Sequence, residues 1–218
     1  MNLKLLQLVS PSLPVGAYSY SQGLEAAIDA GVVKDAATAR AWIGDILEIS
    51  LGGMEAPVFL RLASAWMQGD EGRARHWNDF FIASRETAEL RAETLQMGYS
   101  LRRLLRDLGL DAKPLDGIDE LAYPTAFAFA VARFGIDANE ALEAYLFAWI
   151  ENQVLAAVKA VPLGQTDGQR MLLALGDEAA RVAKSAKACA DDDLGNFAPG
   201  LAILSARHET QYSRLFRS

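Results

Sequence analysis

Residues 124–160 read PTAFAFAVARFGIDANEALEAYLFAWIENQVLAAVKA, and this stretch decides the fold class. Pro124 suits the first turn of a short apolar helix, and Gly135 closes that helix. Asp137 then begins a second, longer helix whose apolar residues lie on almost every face. Because a helix that is apolar all round is typical of a buried element, this pair predicts the centre of a helical protein.

A third helix is predicted upstream of this pair. Its apolar residues are spaced by four and three positions, which places them in one stripe: Leu90, Thr94, Met97, Leu101, Leu104 and Leu108. Gly109 closes the helix. The stripe predicts core packing rather than a cofactor site.

Capping residues and glycines predict the other helices. The spacing of Ser19 and Gln22 is that of a capping box, as is the spacing of Thr166 and Gln169. The resulting helices are expected near 19–30, from Asp35 to Gly52-Gly53, from Pro57 to Gly69, and from Thr166 to about Cys189.

The rest of the pattern supports the same fold class. No stretch alternates with the period of two that a strand requires, β-branched residues are sparse and alanine is plentiful. The prediction is an all-α protein, a single-domain helical bundle of roughly eight to ten helices. Residues 1–198 form its body, and residues 199–218 are expected to be a partner-docking segment of the same domain.

The overall charge narrows the classes of partner. The 218 residues carry a formal net charge of −7 at pH 7, and the pI is about 4.9. A nucleic-acid-binding protein would need a basic face, so no nucleic acid is expected as a partner. The single cysteine, Cys189, allows no internal disulfide, which fits a reducing compartment. No membrane span and no signal peptide are predicted, so the expected location is the cytoplasm.

The residue inventory argues against a self-contained enzyme. With two histidines and one cysteine, no cluster with metal-ligand spacing can be drawn. Residues 208–212 lack the second histidine of a zincin motif, and residues 164–169 lack the lysine of a phosphate loop. Carboxylate pairs such as Glu86 and Glu89 are interpreted as solvated ion-pair partners. No catalytic residue, bound metal or cofactor is therefore predicted.

Two segments carry polar residues that a plain bundle does not require. The first is residues 10–25, of which residues 12–25 are called the N-terminal motif, with the candidate site residues Tyr18, Ser19, Tyr20, Gln22 and Glu25. Composition alone favours a stapled helix start in which the tyrosines pack locally. The second segment carries Glu151, Asn152, Gln153, Lys159 and Gln165. Because buried polar groups are costly, these side chains line a wet cavity, pair with one another or face another protein, unless they mark the exposed edge of their helix.

The C-terminal residues 206–218 form a third unusual segment, with three arginines against one glutamate. One helical stripe would contain Leu201, Leu204, His208, Tyr212 and Leu215. A basic amphipathic segment rich in arginine and aromatic residues favours docking into the groove of a partner. The alternative is a terminus that folds back on its own acidic body.

At these segments the sequence resembles a known family, the urease accessory protein UreF. The resemblance runs the full length of the chain and is carried by residues 12–25, by the helical stretch Arg85–Arg91, by Lys159–Gln165 and by Ser205–Ser218. The last of these is the most specific, since a dozen consecutive polar and aromatic residues rarely match by chance.

The resemblance implies an all-α protein that forms a homodimer and has no enzyme activity of its own. The implied partners are the accessory protein UreD (UreH in some systems), the nickel-dependent GTPase UreG and the urease apoprotein, whose nickel centre is installed with GTP hydrolysis. The residues carried over to UreD/UreH binding are Arg207, His208, Gln211, Tyr212, Arg214, Leu215 and Phe216. The candidate residues of the N-terminal motif and of the second polar segment are carried over to a GTPase-facing surface or an internal passage.

A competing interpretation is an independent all-α enzyme, or a bundle that binds an apolar ligand in a cavity lined by residues 124–160. The C-terminal segment separates the two interpretations, because a self-contained enzyme would not need it.

Overall fold

Ten α-helical segments make up the computed structural model, which describes residues 2–218. They are α1 (Leu3–Leu8), α2 (Leu24–Asp29), α3 (Ala36–Ile46), α4 (Ala56–Gln68), α5 (Glu71–Ala83), α6 (Ala88–Asp107), α7 (Tyr123–Phe134), α8 (Ala138–Ala160), α9 (Gln165–Ala186) and α10 (Pro199–His208). A π-helical segment, Leu47–Glu55, joins α3 to α4 without a break, so the ten segments form nine separate rods. Residues 2–218 contain no strand, and the predictions of fold class and helix number are confirmed.

Helix α8 lies at the centre and packs against α9, α4, α2 and α3. Its neighbour α7 packs against α4 and α6, and Phe127, Phe129 and Val131 of α7 are buried. The central position predicted for residues 124–160 is thus confirmed. The prediction that α8 is a buried element is wrong in part, because Phe147 and Leu155 are 41% and 47% exposed.

The helix ends predicted around α7 and α8 are confirmed. The Asp137 carboxylate caps α8 by accepting from the backbone N–H groups of Asn139 and Glu140. Gly135 ends α7 with a φ of 65°, in the left-handed region that glycine adopts without a steric cost.

Three predicted helix ends are wrong. Ser19 ends a short 3₁₀ helix, Ala17–Ser19, residues 20–23 are not helical, and α2 begins after Gly23. Gly52-Gly53 does not end a helix, and the pair lies inside the π-helical segment. At Gly53 the lack of a side chain serves a close approach, since a Cβ there would lie 2.5 Å from the carbonyl oxygen of Gly195. Thr166 is not a cap, because α9 begins one residue earlier with Gly164 at its N-cap.

The predicted stripe of α6 is confirmed over its first three turns, where Leu90, Thr94, Met97 and Leu101 are buried. It is wrong beyond them, because Leu105 is the buried residue and Leu108 is 48% exposed. A strict four-three spacing has a period of 3.5, whereas the helix repeats every 3.6 residues. The stripe therefore rotates away from the core over successive turns.

None of the helices in the described part of the chain is long and apolar enough to cross a membrane.

Candidate functional site

The C-terminal residues 209–218, called the tail below, do not continue α10. The helix ends at His208, so the helical stripe predicted to include Tyr212 and Leu215 is wrong. The tail instead folds back onto the N-terminal motif, where the backbone N–H of Arg217 donates to the carbonyl of Ser19 at 2.8 Å. In the isolated chain, then, the structure shows the alternative of a terminus folded on its own body. Residues 16–25 and 208–218 together form one unit, which we call the joint.

Glu25 of α2 is the main anchor of the tail. Its Oε1 accepts from the backbone N–H of Leu215 at 2.7 Å, and its Oε2 accepts from that of Phe216 at 2.9 Å. The residue is only 7% exposed. In a helix these two N–H groups would donate to backbone carbonyl oxygens. Here the Glu25 carboxylate accepts from them, so the tail keeps both hydrogen bonds without being helical.

His208 lies fully buried between two carboxylates. Its Nε2 is 3.2 Å from Oε2 of Glu25, and its Nδ1 is 2.7 Å from Oε2 of Glu89. Arg214 of the tail donates to the other oxygen of Glu89 at 2.5 Å. His208 thus joins α2 to α6, because each of its ring nitrogens lies within hydrogen-bonding distance of a carboxylate oxygen on one of these helices. Glu89 is an ion-pair partner, of Arg214, but the prediction that it is solvated is wrong, since its side chain is 12% exposed.

Ser21 and Ser218 close the joint at its deepest point. The backbone N–H of Ser21 donates to the carbonyl oxygen of Ser218 at 2.7 Å, and the Ser21 hydroxyl donates to the same atom. The Ser218 hydroxyl donates to Oε2 of Glu93 at 3.0 Å. Both serines are fully buried, so this contact lies inside the protein.

Gln22 links the joint to the central helix. Its amide donates to Oε1 of Glu93 at 2.7 Å, and its carbonyl oxygen accepts from the indole N–H of Trp149 on α8 at 2.6 Å. In the described part of the chain, Gln22 is the one non-glycine residue with a positive φ, 51°. That conformation costs on the order of 1 kcal/mol or more, and two buried side-chain bonds hold it in place.

Burial changes the pKa of two groups at the joint, Glu93 of α6 and Tyr20. It raises the pKa of Glu93 to about 7, although the hydrogen bonds from Gln22 and Ser218 act in the opposite direction. Burial also raises the pKa of Tyr20, and a hydrogen bond from Arg217 partly opposes that shift. Glu93 therefore titrates near neutral pH.

Phe216 lies against Lys159, a residue of the second polar segment. Its ring is 6% exposed, and Nζ of Lys159 lies 4.8 Å from the ring centroid. The resemblance placed these two residues on different surfaces, whereas the structure makes them neighbours. Gln165, the first residue of α9, is exposed and forms no hydrogen bond to the joint within residues 2–218.

Glu151, Asn152 and Gln153 do not act as one group. Asn152 donates to the carbonyl of Tyr20 at 3.1 Å and so contacts the joint. Gln153 is 1% exposed, and its amide nitrogen has no hydrogen-bond partner in the described residues. Glu151 is half-buried, and burial raises the pKa of its carboxyl. Successive residues point in different directions around a helix, which separates the three side chains.

The outer face of the joint presents aromatic and aliphatic side chains to solvent. Tyr212 is fully exposed, and Tyr18 and Leu215 are 71% and 59% exposed. Arg207 is exposed and Gln211 is half-buried, while the Arg214 side chain is 37% exposed. Four predicted site residues face inward instead: Tyr20, Glu25, His208 and Phe216. The joint therefore has a buried polar inner layer and an outer layer free to meet another surface.

A cavity of about 80 Å³ lies directly under the joint, with Gln22, Glu93, Trp149 and Asn152 in its wall. Two further charged residues line it, Glu55 and Arg85, together with the rings of Phe81, Tyr123 and Tyr145. This volume holds only a few water molecules. Within residues 2–218 no group of three or more His, Cys, Asp or Glu side chains is arranged to hold a metal ion.

Comparison with known proteins agrees with the resemblance. A family model described as UreF matches residues 33–176. The urease accessory protein UreF of Azoarcus sp. (strain BH72) is 55% identical over 223 residues, which cover 99% of this chain and 95% of that protein. The proteins of the same name from Dechloromonas aromatica (strain RCB) and Janthinobacterium sp. (strain Marseille) are 51% and 53% identical over 220 residues, with 99% of this chain covered.

The chain belongs to the UreF family.

The UreF family model ends before the tail and begins after the N-terminal motif, but the relatives just named cover both, since they span 99% of the chain. The alignments with these relatives therefore include both halves of the joint. Relatives are named urease accessory proteins, a description that this chain shares by family membership.

Sequence reasoning missed Glu93, which bonds to both halves of the joint, and the charged cavity residues Glu55 and Arg85. A signal for Glu93 was present, because it lies three positions after Leu90 and four before Met97, on the buried face of α6. A charged residue on an apolar face must find buried partners, and this one finds them in Gln22 and Ser218.

Proposed function

We propose that this UreF-family chain is a non-catalytic maturation chaperone. It bridges UreD/UreH and the GTPase UreG, and it helps to insert nickel into the urease apoprotein in a step coupled to GTP hydrolysis. Nickel is the cargo of this process rather than a resident cofactor of the chain. The proposal includes a homodimer working in the cytoplasm.

The observation that carries the proposal is the two-layered joint. Its polar backbone groups are satisfied internally by Glu25, Ser19 and Ser21, whereas Tyr212 and Leu215 point to solvent. Exposed aromatic and apolar residues beside arginines are the composition of an interface centre. A tail held in a fixed shape before binding also loses little conformational freedom on docking.

Outward-facing residues of the tail and of the last turn of α10 are assigned to UreD/UreH, namely Arg207, Gln211, Tyr212, Arg214 and Leu215. Inward-facing His208 and Phe216 support that surface from below. The N-terminal motif and Lys159 are assigned to the GTPase side. Because the tail is bonded to Ser19, Ser21 and Glu25, loss of either half would disturb both surfaces.

The cavity favours a chaperone over an apolar-ligand-binding bundle. Sites for small organic ligands commonly measure about 300–1,000 Å³. The space under the joint is about 80 Å³, and three charged residues, Glu55, Arg85 and Glu93, line it beside apolar and aromatic side chains. Residues of α7 that would have lined an apolar site, such as Phe127 and Phe129, instead fill the core.

Copurification tests the proposal. The double variant Tyr212→Ala/Leu215→Ala removes only exposed side chains, so we expect a folded chain that no longer copurifies with UreD/UreH and the GTPase. The matched control is Tyr99→Ala, which removes another exposed tyrosine, 53% exposed on α6, and should bind as the wild type does. Light scattering on the purified complex gives the number of copies. Full binding by the double variant would refute the assignment of the tail.

A further inference from the structure

Glu93 is the buried carboxyl at which the tail and the N-terminal motif meet. One of its oxygens accepts from Gln22 and the other from the hydroxyl of Ser218. The residue is 5% exposed, and the last residue of the tail is fully buried against it. Removal of the tail from its position would uncover this carboxyl to water.

No full positive charge balances Glu93 when it is ionised. The guanidinium that acts on Glu93, Arg85, lies over the ring of Phe81 at 4.1 Å, and its Nη1 is 3.6 Å from Oε2 of Glu55. The titratable and charged groups that face Glu93 from the surrounding elements are Tyr20, Glu55, Arg85, Tyr123 and Tyr145, and Arg217 of the tail contacts Tyr20. Two carboxyls share one guanidinium, so a proton on Glu93 is the simplest way to balance the buried charge.

We propose that docking of the tail is linked to proton uptake at Glu93, so that the tail is held most firmly when this carboxyl is protonated and is released as the pH rises. This linkage acts on the surface that we assigned to UreD/UreH, and its meaning for that partner rests on the proposed function. The docking itself is a property of the isolated chain.

The direction follows from proton linkage. Burial raises the pKa of Glu93 from its usual 4.5 to about 7 in the docked form. Between these values the docked form keeps a proton that the exposed carboxyl has lost, so docking weakens as the pH rises and levels off above pH 7. If undocking restores the usual pKa in full, the docking constant falls up to about tenfold between pH 6 and pH 8.

The contribution of Glu93 has to be separated from those of the other polar contacts of the tail region, among them the contacts of His208 with Glu25 and Glu89. The variant Glu93→Gln keeps the size of the side chain and cannot ionise. The part of the pH dependence that it abolishes belongs to Glu93.

Hydrogen exchange on the full-length chain measures the docking. We expect the protection of amides in residues 209–218, corrected for intrinsic exchange, to fall about tenfold from pH 6 to pH 8. The fall should become several-fold smaller in Glu93→Gln. The control variant Glu86→Gln, which changes a carboxyl outside the joint whose pKa burial also raises, should behave as the wild type does.

Two results would overturn the inference: equal protection of the wild-type tail at both pH values, or a Glu93→Gln variant that keeps the whole wild-type pH dependence. Should that variant fail to fold, a carbon-13 titration of the Glu93 carboxyl in the wild type decides the matter. A midpoint near 7 supports the linkage, and one below 5 refutes it. Copurification at a single pH, by contrast, reports on the proposed partner and not on this linkage.

Discussion

The core around α7 and the joint between the tail and the N-terminal motif are both buried, yet different forces hold them. Phe127 of α7 touches Phe59 and Tyr145 ring to ring, and its neighbours are apolar. In the joint, Glu25 and Glu93 hold the tail through hydrogen bonds that span most of the length of the chain. Apolar packing loses stability gradually as atoms are removed, whereas a buried carboxylate network fails when one acceptor is lost.

The largest effect is expected in the core. Phe127→Ala removes a ring that is 1% exposed and leaves a cavity, which should lower the free energy of unfolding by about 3–5 kcal/mol. Urea denaturation followed by circular dichroism measures the change. The control Phe197→Ala removes a ring that is 83% exposed and should stay within about 0.5 kcal/mol of the wild type. Similar losses in both variants would contradict the contrast.

A smaller and local effect is expected from Glu25→Ala. The change leaves the N–H groups of Leu215 and Phe216 without their acceptor and removes the carboxylate beside Nε2 of His208, which should weaken tail docking by about 3 kcal/mol. Hydrogen exchange should show open amides in 209–218 while α7 and α8 stay protected.

Glu25→Gln serves as the graded control for that change. It keeps one carbonyl acceptor and loses the charge, so its effect should lie between those of the wild type and Glu25→Ala. If the alanine variant opens α7 and α8 together with the tail, the joint and the core are one cooperative unit and the comparison fails.

The smallest effect is expected at Lys159, whose ammonium lies over the Phe216 ring. Lys159→Ala should weaken tail docking by about 0.5–1 kcal/mol, while Lys159→Arg should keep the contact. Exchange of the tail amides again gives the measurement. In the assembled complex, the alanine variant should also alter GTP hydrolysis, and an unchanged rate would remove Lys159 from the GTPase side.

Local patterns in the sequence predicted the core well. The cap at Asp137, the glycine stops at Gly69 and Gly135 and the first turns of the α6 stripe act within a few residues of the chain, so short windows contain their causes.

The joint could not be predicted in the same way. Tyr212 and Leu215 have helical spacing, but Glu25, which lies about 190 residues earlier, takes the backbone N–H groups that a helix would need. Gly52-Gly53 has the composition of a stop, but its use depends on Gly195, which packs against it in the folded protein. Such long-range partners have no local signal.

The π-helical segment Leu47–Glu55 sets the rotational phase of everything that follows it. A π turn takes up more residues than an α turn, so α4 leaves this segment rotated relative to the direction that an unbroken α-helix would take. Glu55 is its last residue, and that rotation points its carboxylate at the Tyr145 hydroxyl and toward Arg85. A one-residue deletion within 47–54 would therefore leave both flanking helices helical while turning Glu55 out of the charged cavity.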